Sequence, residues 1–472
     1  MNIQLHNTLS GKKEAFKPLR AGKVGIYHCG PTVYWDQHIG NMRAMVMADI
    51  ARRTFIYNGF EVDFVRNYTD VGHLTGDNVG DADSGEDRME KAAKREHLSP
   101  DAIADKYIKS FDADVAALNT LPPTHAPRAT RHIDDMIAMV KALLDKGFAY
   151  IAPEAVYFDV SKFPTYTKLS GQKMEKLETG EGHGSVKGTG KRNPQDFSLW
   201  FFKTGAHAKA LQTWKSPFSS PAVKDGEGFP GWHIECSAMS KHYLGPTLDV
   251  HIGGIEHVPI HHTNEIAQSE CANGVRYVDY WLHNEHLLVD GKKMAKSEGT
   301  SYVLRDVADK GFSPLALRYF FLQAHYRSKQ NFTWESLAAS DTALKKLRNF
   351  VSGISVEGDV SSRHRDAFME KINDDFNASA ALAVAWDLTK DPEVPDSVKK
   401  ATLLDFDKVL GLDLAAEAED TVVPIKVLIL MKQRGMARES QDWKEADRLR
   451  DEIAAQGFTV KDTPQGQKIV KR

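Results

Sequence analysis

Cysteine is scarce in this sequence, with three residues, Cys29, Cys236 and Cys271, in a chain of 472. An odd, widely spaced set of thiols excludes a disulfide framework and fits a reducing compartment. Long apolar runs are missing as well. No stretch nears the roughly 18 residues that would mark a membrane span. The opening MNIQLHNTLSGKKEAF also lacks the apolar core of a signal segment. A cytoplasmic protein that keeps away from membranes is expected. Charge of one sign is lacking too, since a formal net charge of −3 excludes a polycation that coats nucleic acid. The balance is nevertheless uneven. Residues 421–472 carry 11 Lys and Arg against 7 Asp and Glu, a net of +4 that leaves −7 upstream. Such a tail suits contact with phosphates and equally suits a solvated helical face. No internal repeat is visible.

What is present is the composition of a globular chain, 42% hydrophobic and 26% charged. Its length implies roughly three domains at about 150 residues each. KVGIYHC at 23–29 reads as a strand that turns through PTVYWDQ into a helix starting near His38. Met42, Met45, Val46 and Ile50 then recur at helical steps and form a core stripe. EVDFVRNYTD alternates as a strand, so strand, helix and strand follow in the order of a parallel βαβ unit. Residues 150–220, with strand signals in AVYFDV and FSLWFF, look like an insertion between two halves of a larger sheet. LDVHIGG at 248–254 resumes that sheet, and a helix from His261 with HLLVD at 286–290 is expected to complete it. From about 313 to 455 the pattern is helical, with Pro392, Pro395 and AAEAED as candidate linkers.

Three tempting strings fail on their own chemistry. In the polar run after Gly76, a calcium loop starting at Asp81 needs Gly at 86 and Glu at 92, where Glu86 and Ala92 stand. GEGFPG at 226–231 has the letters of a dinucleotide fingerprint, but it follows the Pro-broken SPFSSPAVKDG and contains Pro230. GSVKGTGKR at 184–192 has Ser185 where a phosphate loop needs its first Gly, and no Ser or Thr follows Lys191.

Other features carry chemistry. His261 and Glu265 lie four apart on one helix face, within reach of a common ion, although the spacing alone reads first as a surface His–Glu contact. Cys29 and Cys236, taken singly, read as buried inert thiols. In CGPTVYWDQHIGN a Gly follows an imidazole at a helix mouth, where free N–H groups accept phosphate. His38 and Asn41 are three apart and face that mouth. In KKMAKS at 292–297, Lys293 and Lys296 sit in a Gly-flanked loop and are placed either to neutralise departing pyrophosphate or merely as surface charge.

Read together, HIGN and KMAKS resemble the HIGH and KMSKS signatures of class I aminoacyl-tRNA synthetases. CGPTVY at 29–34, RNYTD at 66–70, GWHIECSAMS at 231–240, HHTNEIAQSE at 261–270 and WKEADRLRDEI at 443–453 are similar, in order, to signatures of the cysteinyl-tRNA synthetase family. The resemblance implies an α/β fold, with a Rossmann-type parallel-sheet catalytic domain split by an insertion, then an α-helical anticodon-binding region and a small C-terminal domain. The expected boundaries are 1–125 with 225–312 for the catalytic domain and 126–224 for the inserted connective domain. Residues 313–355 would be a stem-contact helical region, 356–435 the anticodon-binding bundle and 436–472 a small tRNA-contact domain.

The same resemblance implies one zinc per chain, held by Cys29, Cys236, His261 and Glu265, and magnesium accompanying ATP. Trp232 would cover the cysteine substrate, with Gly30, Thr32 and Thr69 along its amino and carboxylate ends. His38, Gly40, Gly254, Glu256 and Lys296 would bind ATP. His38, Asn41, Lys293 and Lys296 would stabilise the reaction of L-cysteine with ATP and then with cysteine tRNA, in a protein expected to be monomeric. Zinc suits such a task because apolar pockets separate close isosteres by only about 1–3 kcal/mol, whereas borderline-soft zinc selects a thiolate. Two positions depart from the signatures. Asn41 replaces the second His but still donates hydrogen bonds, and Ala295 removes a hydroxyl while keeping both lysines. At the tail, Ala446, Leu449 and Ile453 form a packing face stopped by Gly457, leaving Arg434, Arg438, Arg448 and Arg450 as candidate tRNA contacts. Two rivals remain, a ligase joining cysteine to an amino sugar, which needs no basic helical tail, and a catalytically silent tRNA-binding protein.

Overall fold

The computed structural model describes residues 2–72, 74, 86–172, 190–294, 299–416, 425–463 and 466–471. Ala295, Lys296, most of the rejected calcium run, the first part of the 184–192 loop and the acidic 417–420 stretch lie outside them. The chain divides into two compact units. One comprises residues 1–344 with 356–413, and the other residues 345–355 with 414–472.

The first unit is organised by a four-stranded parallel sheet in the order Val278–Asn284, Leu248–Gly254, Lys23–His28, Glu61–Arg66. In chain order the two inner strands open each half and the two outer strands close it. Sheet order therefore reverses between Lys23–His28 and Leu248–Gly254, and that crevice is where open α/β sheets bind ligands, at the carboxyl ends. The helix Ile39–Tyr57 crosses over in the first half and His261–Asn273 in the second. Met42, Met45, Val46 and Ile50 are buried as the periodicity requires.

HLLVD does not complete this sheet. Leu287–Val289 forms a small separate sheet with Gln330–Phe332 and Lys292–Lys293. The outer strand of the second half is Val278–Asn284, whose residues are buried on both faces except Asp279. A parallel strand covered on both sides gives no alternation to read, and its Asp, His and Asn hide the apolar run. Between the two halves lies an antiparallel sheet of Ala149–Ile151, Ala155–Phe158, Phe197–Phe202 and Gly228–Pro230. The GEGFPG string thus supplies the last strand of that sheet, where Pro230 is tolerated at an edge, and leads straight into the helix Trp232–Leu244.

Helices Ser362–Ile372, Ala378–Lys390 and Asp396–Leu410 also belong to the first unit. They are keyed to the crossover helix by a buried ion pair, with Arg318 donating to Asp49 Oδ2 at 2.6 Å, Leu410 O at 2.7 Å and Leu118 O at 2.9 Å. In the second unit the helices Ile425–Glu439 and Trp443–Ala455 pack through Val427, Leu430, Ala446, Leu449 and Ile453. A hairpin, Phe458–Thr463 with Gly466–Lys471, follows Gly457, whose φ of +81° ends the helix. The helical pattern of the sequence gives no sign of this hairpin. Among the described residues no helix is long and apolar enough to cross a membrane.

Removing Arg318 leaves Asp49 with Arg53, at 2.8 Å, as its charged partner, so the loss falls below the roughly 3–5 kcal/mol of a buried charge left wholly unpaired. Arg318→Met is still expected to lower the thermal midpoint, while the double variant Arg318→Met with Asp49→Leu recovers part of the loss. Both midpoints are read by differential scanning fluorimetry.

Candidate functional site

Four donors from three separate segments meet beneath the crevice. Cys29 leaves the carboxyl end of Lys23–His28, Cys236 comes from the second turn of Trp232–Leu244, and His261 and Glu265 come from the first turns of His261–Asn273. One ligand atom from each lies within 4.8 Å of all the others, and all four residues are buried. The Cys29 Sγ to Cys236 Sγ distance is 3.8 Å. A tetrahedral zinc with Zn–S bonds of about 2.3 Å requires an S···S edge of about 3.8 Å. His261 Nε2 lies 3.1 Å from Glu265 Oε1, and Cys29 Sγ lies 3.8 Å from that oxygen.

The electrostatics of this pocket favour a cation. Cys236 accepts a hydrogen bond from the Cys29 thiol and faces His261, which draws its pKa down to about 6. Burial, and then Cys236, pushes Cys29 up. Burial works against ionisation of Glu265, yet His251 and then His261 hold its carboxyl below the usual carboxylate range. Burial likewise opposes charge on His261, but Cys236 and Glu265 raise its pKa to about 10. A thiolate and a carboxylate thus converge on one positive charge, and the two-sulfur, one-nitrogen, one-oxygen set is a borderline-soft donor set of the kind zinc takes.

Residues that sequence reasoning missed fix this geometry. Glu265 Oε2 is held by His251 Nε2 at 2.9 Å and by the Tyr277 hydroxyl at 3.0 Å, which leaves Oε1 facing the other donors. His261 Nδ1 bonds His233 Nδ1 at 2.9 Å, so its Nε2 points inward. Such outer partners orient metal ligands and set the tautomer of a ligating His. A second quartet, Cys29, His251, His262 and Glu265, is also within reach of a common ion. There His262 Nε2 faces Cys29 Sγ at 3.4 Å, but His251 Nε2 is committed to Glu265 Oε2 and only one sulfur is offered. The two-thiol quartet is the better match to a thiophilic ion.

The predicted substrate residues gather around this centre. Trp232 lies over His261 with ring centroids 4.2 Å apart. The Gly30 N–H donates to Asn67 Oδ1 at 2.9 Å, and a Cβ on Gly30 would stand 1.6 Å from the Asn67 carbonyl oxygen, so only glycine fits. Thr32 and Thr69 face each other in a parallel bridge, with Val33 N–H on Thr69 O and Thr69 N–H on Pro31 O, both at 3.0 Å.

The nucleotide candidates follow from the adjoining helix mouth. His38 caps the helix Ile39–Tyr57, its Nδ1 accepting the Asn41 N–H at 3.2 Å. That bond places the proton of a neutral ring on Nε2, which is then the donor atom of the imidazole. The Asn41 side chain turns to the preceding loop, donating to Gln37 Oε1 at 2.5 Å, and Gln37 in turn donates to Thr32 O at 3.2 Å and Trp35 O at 3.0 Å. Asn41 thus braces the turn that carries Thr32. A Cβ on Gly40 would meet Met294 Cε at 2.3 Å, which sets the start of KMAKS directly against HIGN. Lys293 is exposed in the short strand Lys292–Lys293, and Lys296 lies outside the described residues. Gly254 ends its strand, and the exposed Glu256 carboxylate folds back over it.

The tail arginines divide by burial. Arg434 is buried and donates to Gln467 Oε1 at 2.5 Å, so it packs instead of facing a nucleic acid. Arg438 stacks on Trp443, Arg448 bonds Glu445 and Glu452, and Arg450 pairs with Asp447, with the last two guanidiniums half exposed.

Two family descriptions match the chain, tRNA synthetases class I (C) catalytic domain over residues 15–342 and cysteinyl-tRNA ligase anticodon binding domain over residues 425–469. Cysteine–tRNA ligase 1 of Burkholderia lata is 44% identical, covering 99% of this chain and 97% of its own length. A cysteine–tRNA ligase of Thermus thermophilus is 39% identical, covering 99% and 98%. Among solved structures, Mycobacterium tuberculosis methionyl-tRNA synthetase in complex with methionyl-adenylate shares the fold. Its TM-score is 0.55 at 14% identity, over 83% of this chain and 90% of that one. Full-length similarity at both ends of the molecule, on a class I fold, shows that the chain belongs to the cysteine–tRNA ligase family of class I aminoacyl-tRNA synthetases.

Proposed function

We propose that this ligase selects L-cysteine through a zinc held by Cys29, Cys236, His261 and Glu265, activates it with ATP and passes it to cysteine tRNA. The observation that carries the reading is the convergence of two thiols, an imidazole and a carboxylate beside the HIGN helix mouth at the sheet's switch point. When bound, the zinc would take the substrate thiolate as a further ligand and so discriminate against the serine hydroxyl.

The chain's own residues do the rest by position and charge. Trp232 over His261 covers the side chain, and Gly30, Thr32 and Thr69 line the amino and carboxylate ends. The carboxylate attacks the α-phosphorus of magnesium-bound ATP, forming a new P–O bond as the bond to pyrophosphate breaks. His38 Nε2–H and the N–H groups at the start of its helix face the phosphates, while Gly40, Gly254 and Glu256 lie along the nucleotide. Lys293 and Lys296 neutralise the departing charge. Asn41 acts through Gln37 on the turn that carries Thr32. The terminal ribose hydroxyl of the tRNA then attacks the activated carbonyl and AMP leaves. Neither step needs a protein nucleophile.

The domain reading goes with this function. Residues 1–125 and 225–312 form the catalytic domain around the 126–224 insertion, 313–355 contact the stem, and the anticodon-binding region placed at 356–435 extends into the 425–469 segment that matches the family's anticodon binding domain, with 436–472 adding tRNA contacts through Arg438, Arg448 and Arg450. Three buried free thiols fit a reducing cytoplasm, and the protein is taken to act as a monomer.

Three outcomes are expected. Cys236→Ala loses both its metal, by atomic absorption, and its cysteine binding, by calorimetry; stoichiometric metal in that variant would overturn the ligand set. His38→Ala lowers kcat of cysteine-dependent ATP–pyrophosphate exchange by about 10²–10³-fold with little change in cysteine KM. Trp232→Ala raises cysteine KM by up to about tenfold, the scale of one lost aromatic contact, and keeps the metal. The wild-type exchange assay, followed by charging of cysteine tRNA, also separates the rivals. Exchange without charging favours the amino-sugar ligase, and no exchange the silent protein.

A further inference from the structure

A second cluster of metal-ligating side chains lies apart from the Cys236 quartet. His132 caps the helix Ile133–Asp145, Asp135 stands three residues on in its first turn, and His242 lies in the last turn of Trp232–Leu244. One ligand atom from each of the three is within 4.8 Å of the other two. His132 Nδ1 is 2.9 Å from Asp135 Oδ2, and His242 Nδ1 is 3.1 Å from that same oxygen. We propose that His132, Asp135 and His242 form a second, surface site for a borderline divalent transition metal such as Zn²⁺ or Ni²⁺.

The geometry needs little change to accept an ion. Metal–nitrogen and metal–oxygen bonds of about 2.0–2.1 Å in a tetrahedron put ligand atoms about 3.3 Å apart. The two observed edges need to open by only a few tenths of an ångström. Both imidazoles already present Nδ1 to the shared carboxylate, so the ligand nitrogens are chosen before a metal arrives. The other nitrogen of His132 has an adaptable partner, since its Nε2 lies 3.2 Å from the Tyr243 hydroxyl. That hydroxyl donates to Nε2 when Nδ1 carries the proton. It accepts from Nε2–H when Nδ1 gives its lone pair to a metal.

Exposure decides the type of site. The His132 side chain is 9% exposed, whereas Asp135 and His242 are 39% and 46% exposed. One ligand is anchored and the other two open onto solvent, so water completes the coordination and the metal exchanges readily. The mixed imidazole and carboxylate donors suit zinc or nickel better than calcium or magnesium, which prefer all-oxygen shells. His242 also stands at the carbonyl end of its helix, where positive charge is favoured. The ion would pin the helix that carries Cys236 to the helix that opens the inserted segment. Tyr243 reinforces the same seam, its ring edge-on to His132 with centroids 5.5 Å apart.

The test uses the whole enzyme already carrying its first equivalent of zinc. Titration with Zn²⁺ in a calorimeter is expected to show one further equivalent in the wild type. That equivalent is lost in His242→Ala and in Asp135→Asn, while both variants keep the first by atomic absorption and retain cysteine-dependent exchange. Cys236→Ala retains the surface equivalent, so the two sites are scored separately. The proposal is overturned if the wild type takes up no further equivalent, or if His242→Ala and Asp135→Asn take it up as the wild type does.

Discussion

The fully buried Glu265 carboxylate is the constraint on which the site depends. Ionised carboxylates are costly to bury unless paired and hydrogen-bonded. Here Oε2 is bracketed by His251 and Tyr277, and Oε1 is turned toward His261 and Cys29. That arrangement fixes the rotation of the His261–Asn273 helix, because Glu265 meets both sets of partners only when His261 faces inward. It also dictates the neighbours. His251 comes from the central strand Leu248–Gly254 and Tyr277 from just ahead of the outer strand Val278–Asn284. The second half of the parallel sheet is therefore built around the same carboxylate that faces the metal donors.

The sheet sets the proposed metal and nucleotide sites along one crevice. Cys29 and the Gly30 turn leave the first strand on one side of the switch point, and Gly254 leaves the central strand of the other half on its far side. Cys29 and His38 lie nine positions apart, and the proposed reaction needs a substrate held near Cys29 to reach the helix mouth that His38 caps. Catalysis of this kind needs placement more than reactive side chains. The contacts that hold the placement are the backbone Thr32–Thr69 bridge and the Gly30 N–H donated to the Asn67 side-chain oxygen.

Much of the fold was legible because short apolar runs bounded by turn residues announce strands even where both faces are buried, as KVGIYH and EVDFVR do at Lys23–His28 and Glu61–Arg66. Val278–Asn284 was not, since burial on both faces erases the period, and the nearby HLLVD drew the assignment away. The metal quartet could not be read from spacing. Its members Cys29, Cys236 and Glu265 are 207 and 236 positions apart in the pairs that touch, and only similarity to a family linked them. Their supports His233, His251 and Tyr277 carried no signal, because a buried His in an apolar strand looks like packing until its partner is seen. Arg434 shows the opposite failure, a cation assigned to the surface by helical position and buried against Gln467 of a hairpin that lies beyond the helical pattern.

The central claim is that the substrate thiolate itself joins the Cys29, Cys236, His261 and Glu265 metal. Cobalt exchanged into that site reports ligand changes by absorption. L-cysteine without ATP is predicted to intensify the sulfur-to-cobalt charge-transfer band and shift the ligand-field bands, while L-serine at the same concentration leaves both unchanged. A spectrum unaltered by saturating cysteine, in a sample shown by calorimetry to bind it, would contradict the account.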